Sequence, residues 1–315
     1  MLSKYQLLLF LGKLAKTNEL YAPVKHDEFY DFERITEKGQ LTLNFTLSLY
    51  SLKQFVMPPE EPIMIFSRTN TKQIMDVQQK IIFGARPCDV NALKLSDEFM
   101  LAEPADPYYR ASRAKLTIIA VACQQPQLDT CFCAVFQSYK LDSGFDIALY
   151  PKGDGYYVKS GSNKGRALLK TNRIKEDNLP AKQPNFKLNK KLAEFKERIA
   201  NLDDYRKSKS WEKHAKSCFA CGGCTLVCPT CMCFDIIDVS ELDLCKGIRK
   251  RSWDSCQLKD FTRIAGNIRF RRRHSERMQH RYYHKLVWSN SCVGCGRCSI
   301  ICPANVNMVE LVIDL

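Results

Sequence analysis

Two stretches decide how this chain is read: CFACGGCTLVCP at 218–229 and CVGCGRCSIICP at 292–303. Each sets cysteines in the order C-x2-C-x2-C-x3-C-P, as Cys218, Cys221, Cys224 and Cys228 before Pro229, and as Cys292, Cys295, Cys298 and Cys302 before Pro303. Three thiols at this spacing wrap one cubane, while the fourth, carried away on the next turn and followed by proline, reaches the other cluster in two-cluster ferredoxins. The repeat predicts two [4Fe-4S] clusters with crossed ligands. Cluster one is expected on Cys218, Cys221, Cys224 and Cys302, and cluster two on Cys292, Cys295, Cys298 and Cys228. Gly222, Gly223, Gly294 and Gly296 suit backbone that passes close to inorganic sulfide. Zinc also accepts sulfur-rich tetrahedral sites, but its motifs usually pair two C-x-x-C knuckles and do not need a four-cysteine run ending in proline.

Outward from the motifs, the chain holds 16 cysteines in 315 residues. The early apolar run, Leu7 to Leu11, is shorter than the ~7–15-residue core of an export signal, and Lys13 and Lys16 soon follow it. Thiols in a reducing compartment stay free, so the count points to metal ligation or redox chemistry rather than a disulfide framework. No apolar run approaches the ~18–20 residues of a membrane span, and the expectation is a soluble cytoplasmic protein with no membrane partner. An apolar content of 45% with 26% charged residues excludes a disordered chain and provides for one large domain or two ordinary ones. The formal charge is +14. Between Lys246 and Lys285, 13 Lys or Arg stand against Asp254, Asp260 and Glu276, a net of +10. Such a segment raises nucleic acid or an acidic partner. Part of it offsets bound clusters, since a four-iron cluster on four thiolates carries about −2 when oxidised.

Residues 3–17 read as a helix with Ser3 as N-cap and Leu7, Leu8, Leu11 and Leu14 at helical spacing. Strict alternation over 41–50, with Leu41, Leu43, Phe45, Leu47 and Leu49 between polar residues, predicts a half-buried strand. Pro58, Pro59 and Pro62 predict a loop. Apolar runs at Ile63–Phe66, Ile81–Phe83 and Leu116–Ala122, with a helical stretch near Val90–Met100, suggest an α/β layer. Phe145–Tyr150 and Tyr156–Lys159 read as a hairpin, and Ser160–Pro184 as a linker or solvated loop. Good helix formers fill 186–216. The expectation is an α/β domain over 1–189 and a mostly helical, ferredoxin-like domain with two clusters over 190–315.

Two adjacent cubanes conduct single electrons rather than transform a bound substrate. No G-x-G-x-x-G after a strand and no G-x-x-x-x-G-K-[ST] is present, so a hydride-handling cofactor is expected on another subunit. The strings IIFGARPCDVNALKLSDEFM (81–100), DPYYRASR (106–113), CQQPQLDTCFC (123–133), CPTCMCFDIID (228–238), WDSC (253–256) and HRYYHK (280–285) together resemble the iron–sulfur β subunit of cytoplasmic sulfhydrogenases, the NAD(P)-linked [NiFe] hydrogenases. The chain is also similar to the iron–sulfur subunit of anaerobic sulfite reductase. The resemblance runs from about residue 20 to 305, and Pro87 with DPYY looks more like the hydrogenase branch. It implies a relay between a catalytic subunit, [NiFe] hydrogenase or sirohaem sulfite reductase, and a flavin-containing NAD(P)H-oxidoreductase subunit.

Eight cysteines lie outside the two motifs. Cys88 and Cys123 follow predicted strands, where α/β sheets build sites, and with Cys131 and Cys133 they make the four thiols of a possible third cluster. Buried inert cysteine is the alternative. Cys231, Cys233 and Cys256 supply only three ligands, and Cys245 matches no motif. His280 and His284, four apart, read first as a solvated face and secondly as a metal pair. The run RFRRRH (269–274) reads first as solvated charge, secondly as a docking surface or a cradle for cluster charge. Asp89 and Arg86 flank Cys88 as cluster neighbours or as turn residues. The rival reading is a nucleic-acid-binding protein with structural clusters, in which Trp253, Phe270, Tyr282 and Tyr283 stack on bases. A crossed pair of clusters favours the relay, and the ~200 residues beyond the motifs exceed what a stand-alone carrier needs.

Overall fold

The computed structural model describes residues 1–177, 184–242 and 245–315. Its strands are β1 (Leu2–Ser3), β2 (Glu19–His26), β3 (Phe29–Arg34), β4 (Glu60–Ser67), β5 (Thr71–Gln73), β6 (Lys80–Ala85), β7 (Leu116–Val121), β8 (Ile147–Lys152), β9 (Gly155–Ser160), β10 (Phe234–Ser240), β11 (Lys246–Trp253), β12 (Arg263–Ile264) and β13 (Ile268–Arg269). Its α-helices are α1 (Lys4–Thr17), α2 (Lys53–Val56), α3 (Pro87–Met100), α4 (Pro107–Lys115), α5 (Cys133–Phe136), α6 (Asn163–Thr171), α7 (Lys190–Ala200), α8 (Ser210–Ser217), α9 (Gly223–Leu226), α10 (His274–Tyr283), α11 (Arg297–Ile300) and α12 (Met308–Ile313). Two units form: one of Met1–Val56, Val77–Lys187 and Val293–Cys295, the other of Met57–Asp76, Leu188–Cys292 and Gly296–Leu315.

The first unit is built on a seven-stranded sheet in the order β1-β9-β8-β7-β6-β2-β3. Its centre is parallel, β2 to β6, β6 to β7 and β7 to β8, and antiparallel hairpins close both ends. All six residues of β7 are buried, the continuous apolar run that a parallel strand covered on both faces requires. Helix α1 starts where the sequence places it: Ser3 Oγ accepts from Gln6 N, and Gln6 Oε1 accepts from Ser3 N. Its buried face, Leu7, Phe10, Leu11 and Leu14, joins Phe83, Ile119, Val121 and Leu149 in one core, each fully buried Leu or Phe contributing ~1.5–3 kcal/mol. Strand β6, helices α3 and α4, and strand β7 follow in order, so Cys88 and Cys123 lie just beyond the carboxyl ends of two strands that pair in parallel.

Four expectations are corrected here. Residues 41–50 keep their alternation, with Phe45 and Leu47 buried, but form no ladder beyond one bridge from Ser48 to Tyr30. The buried Arg86 guanidinium instead takes the carbonyls of Phe45 and Thr46, which satisfies backbone acceptors that a strand partner would otherwise use. The run Ile63–Phe66 lies in β4, in the sheet of the second unit rather than the α/β layer. Pro62 does not make a loop: it sits in β4 beside the irregularity between Arg249 and Lys250, where a ladder tolerates a residue without an N–H. The expected linker over 160–184 contains α6, capped by Ser162 Oγ accepting from Gly165 N, while its residues 178–183 lie outside the described residues.

The second unit holds more strand than a mostly helical reading allows. An antiparallel sheet in the order β10-β11-β4-β5 accompanies helices α7 to α12. Arg251 on β11, 3% exposed at its side chain, is paired with Glu61 on β4. Trp211 of α8 packs edge-on against Tyr282 of α10, ring centroids 5.6 Å apart, and Tyr283 donates to the Leu202 carbonyl at 2.6 Å. Helix α10 also meets α9, where Arg281 donates to the Cys224 carbonyl at 2.9 Å.

Candidate metal centres

The two motifs fold alike. Gly222 (φ +81°) and Gly296 (φ +79°) occupy equivalent places and cap α9 and α11 in a left-handed conformation that a side chain would strain. Of the cysteines beside these glycines, Cys295 is buried and Cys221 is exposed. In the second unit Cys218, Cys224, Cys298 and Cys302 line one hollow, walled by Met278, Tyr282, Val306 and Met308. Cys218 has Cys302 and Cys221 as electrostatic neighbours, so a thiol of the second motif meets the first three-cysteine run. Ala220 N donates to Cys218 Sγ and Val306 N to Cys302 Sγ, both at 3.3 Å. Hydrogen bonds to cluster sulfur are one of the means by which a protein sets cluster potential.

Burial pushes the Cys224 thiol up to about 12, and Arg281 opposes it. A set of buried thiols that resist ionisation together is deprotonated when a metal supplies the countercharge, which fits a four-iron group. Cys298 lies close enough to Cys228 for their charges to interact, and Cys228 accepts or donates to the Thr230 hydroxyl at 3.6 Å. Cys292, whose N donates to the Lys285 carbonyl at 3.2 Å, also belongs to this unit. Cys295, expected in the same set, belongs to the first unit.

In that first unit Cys88, Cys123, Cys131, Cys133 and Cys295 line a second hollow. The 293–295 segment is held by its backbone: Phe132 N donates to Gly294 O at 2.8 Å, the Ser138 hydroxyl donates to the Val293 carbonyl, and Cys131 Sγ lies 3.6 Å from Cys295 O. Burial, then the neighbouring Cys131, Cys123 and Cys295, pushes the Cys133 thiol up to about 12. Cys123 rises to about 11 through burial, against the pull of Arg86. Asp89 accepts from Arg86 N at 3.2 Å at the start of α3, the turn role open to it by sequence, and the Arg86 charge acts on Cys123 and Cys88.

Sequence reasoning missed the convergence of Cys231, Cys233 and Cys256. The thiol of Cys233 is hydrogen-bonded to those of the other two. The hairpin produces this: Phe234 pairs with Trp253, and Asp254 N donates to Cys233 O at 3.0 Å, so Cys233 and Cys256 lie just past the open end of the β10–β11 ladder. The β-branched run within 234–240 was the available signal. The Cys233 hydrogen bond holds the Cys256 thiol below its ordinary value. Cys245 lies at the other end of the hairpin, its carbonyl accepting from Arg68 N. Among the described residues no group of three or more His, Cys, Asp or Glu is arranged for a single metal ion.

His280 and His284 are not a solvated face. Both are half-buried, with ring centroids 5.7 Å apart and Trp288 5.4 Å from His280. Tyr282 and Tyr283 are buried, which removes them as base-stacking residues, while Phe270 is exposed. Among the described residues no helix is long and apolar enough to cross a membrane.

Residues 217–306 match the family model described as a 4Fe-4S dicluster domain. The chain is similar to sulfhydrogenase 2 subunit beta of Pyrococcus furiosus, 32% identical over 315 aligned residues that cover 96% of this chain and 93% of that protein. No solved structure matches. The likeness runs nearly end to end, and the dicluster segment is the one that holds both cysteine motifs; the chain belongs to the sulfhydrogenase subunit beta family, as an iron–sulfur subunit of electron transport.

Proposed function

We propose that this chain relays electrons between a flavin subunit that uses NAD(P)H and a catalytic subunit, with [NiFe] hydrogenase favoured over sirohaem sulfite reductase, in the cytoplasm. The observation that carries the reading is the hollow in which Cys302 of the second motif meets Cys218 and Cys224 of the first. Cluster one would be held by Cys218, Cys221, Cys224 and Cys302, and a third by Cys88, Cys123, Cys131 and Cys133; of the thiols expected for cluster two, Cys228, Cys292 and Cys298 belong to the second unit and Cys295 to the first. Such clusters supply reversible one-electron transfer. The chain's own residues direct N–H groups at the sulfurs of Cys218 and Cys302 and place the charges of Arg86 and Arg281 beside the thiols.

The test is anaerobic mixing of the purified chain with NADH and NADPH. Its clusters should stay oxidised until the flavin subunit is added. Rapid reduction of flavin-free chain by either nucleotide overturns the relay-only reading. Anaerobic copurification then identifies the branch, a nickel-containing subunit supporting hydrogenase and a sirohaem subunit replacing it with sulfite reductase.

A further inference from the structure

The second unit buries positive charge that its carboxylates do not answer. Arg251 has Glu61. Arg277, Arg281 and Lys285 are 2%, 4% and 4% exposed, and among the described residues none of the three forms an ion pair with Asp or Glu. Their hydrogen bonds end on neutral oxygens. Arg277 donates to the carbonyls of Gln257, Arg271 and Arg272. Lys285 donates to the carbonyl and hydroxyl of Thr230 and to the Ser291 hydroxyl.

Arg277 acts on Cys218 and Lys285 on Cys228, whereas Arg281 is acted on by thiols of both motifs. One Nη2–H donates to the Cys224 carbonyl at 2.9 Å, while its Nη1 is buried without a hydrogen-bond partner. The groups whose charges act on it are thiols: Cys224 and Cys228 of the first motif, Cys298 of the second, and Cys256. A buried guanidinium with an idle donor is costly unless an anion meets it. Guanidinium suits such a place better than ammonium, being planar, permanently charged and more weakly hydrated.

We infer that Arg281 is a positioning residue shared by both clusters of the dicluster segment, supplying the countercharge for thiolates of both motifs and holding the two reduction potentials up. The inference rests on the relay reading. Adding an electron beside a fixed cation is favoured, and the low dielectric of a buried site strengthens the effect. Lys285, one helical turn further on, acts on Cys228, so its influence should fall on the cluster that holds Cys228. This assigns a structural use to part of the +10 segment.

The experiment is a redox titration followed by electron paramagnetic resonance, with iron analysis, on the full chain purified anaerobically. In Arg281→Gln both midpoints should move to more negative potential, in Lys285→Met mainly one, and Arg281→Lys should restore most of the parent values. If Arg281→Gln keeps its iron and both midpoints, the residue is packing and the inference fails. If Arg281→Gln takes up no iron, Arg281→Lys decides: a loaded protein with parent-like midpoints supports the charge role, and an equally empty one overturns it. A parent chain without cluster signals defeats the relay reading itself, which is a separate outcome.

Discussion

Cys302 is the residue on which the crossed arrangement turns. It stands next to Pro303 at the end of the second motif, yet it lines the hollow with Cys218 and Cys224. Cys302→Ala is therefore expected to damage the cluster built on the first three-cysteine run and to spare the second cluster. Loss of the second cluster alone, seen by electron paramagnetic resonance of the reduced variant, would reverse the assignment. The motif was legible because its spacing is covalent, three residues at a time. Cys231, Cys233 and Cys256 were not, because their meeting depends on the register of a hairpin that no short spacing encodes. His280 gives a second test at this scale. Burial, aided by the nearby Arg271 and His284, lowers it to about 4 from an ordinary 6.5. Between those values the unfolded chain binds a proton that the folded one refuses, so the stability is full above pH 6.5 and is lost as the pH falls through about 4. In His280→Gln, urea midpoints should fall less steeply across that window than in the parent; equal slopes would contradict the burial reading.

Strands were less legible than helices, and the reasons are local. Helix α1 announced itself by a capping box and four-residue spacing, both complete within one short segment. Residues 41–50 carry the pattern of a strand, but a strand also needs a neighbour, and the buried Arg86 side chain takes the carbonyls of Phe45 and Thr46 instead. The opposite error concerns Pro62, which signals a loop in sequence and is accommodated in β4 because the partner strand is irregular beside it. The pairing of β4 with β11 joins segments far apart in the chain, and the buried Arg251–Glu61 pair locks it. Glu61→Ala leaves the guanidinium buried without that carboxylate and is expected to cost about 3 kcal/mol, whereas removing both charges in Glu61→Ala with Arg251→Met should cost less than the single change. Chemical denaturation of the two variants checks this; a double variant no more stable than the single one would show that the charge itself is not what the sheet depends on.

At the scale of the whole molecule, sixteen cysteines and a duplicated motif made an iron–sulfur protein legible before any contact was known, while the partition of the chain was not. The β4–β5 segment joins the second unit and 293–295 the first, exchanges that follow from sheet pairing and from the hydrogen bond of Phe132 N to Gly294 O. That second exchange bears on how many clusters the chain carries. It adds Cys295 to Cys88, Cys123, Cys131 and Cys133 around one hollow, five thiols where a cubane needs four. With a third cluster there, careful anaerobic analysis should find about twelve irons per chain, against about eight for the two motif clusters alone. Cys123→Ser combined with Cys133→Ser should lower the count by about four and leave the signals of the other clusters in place, since both residues lie outside the duplicated motifs. Retention of the full iron content by that variant, or a fully loaded parent with only eight irons, would make these cysteines packing residues, and the electron would then have to enter or leave this subunit through the dicluster segment.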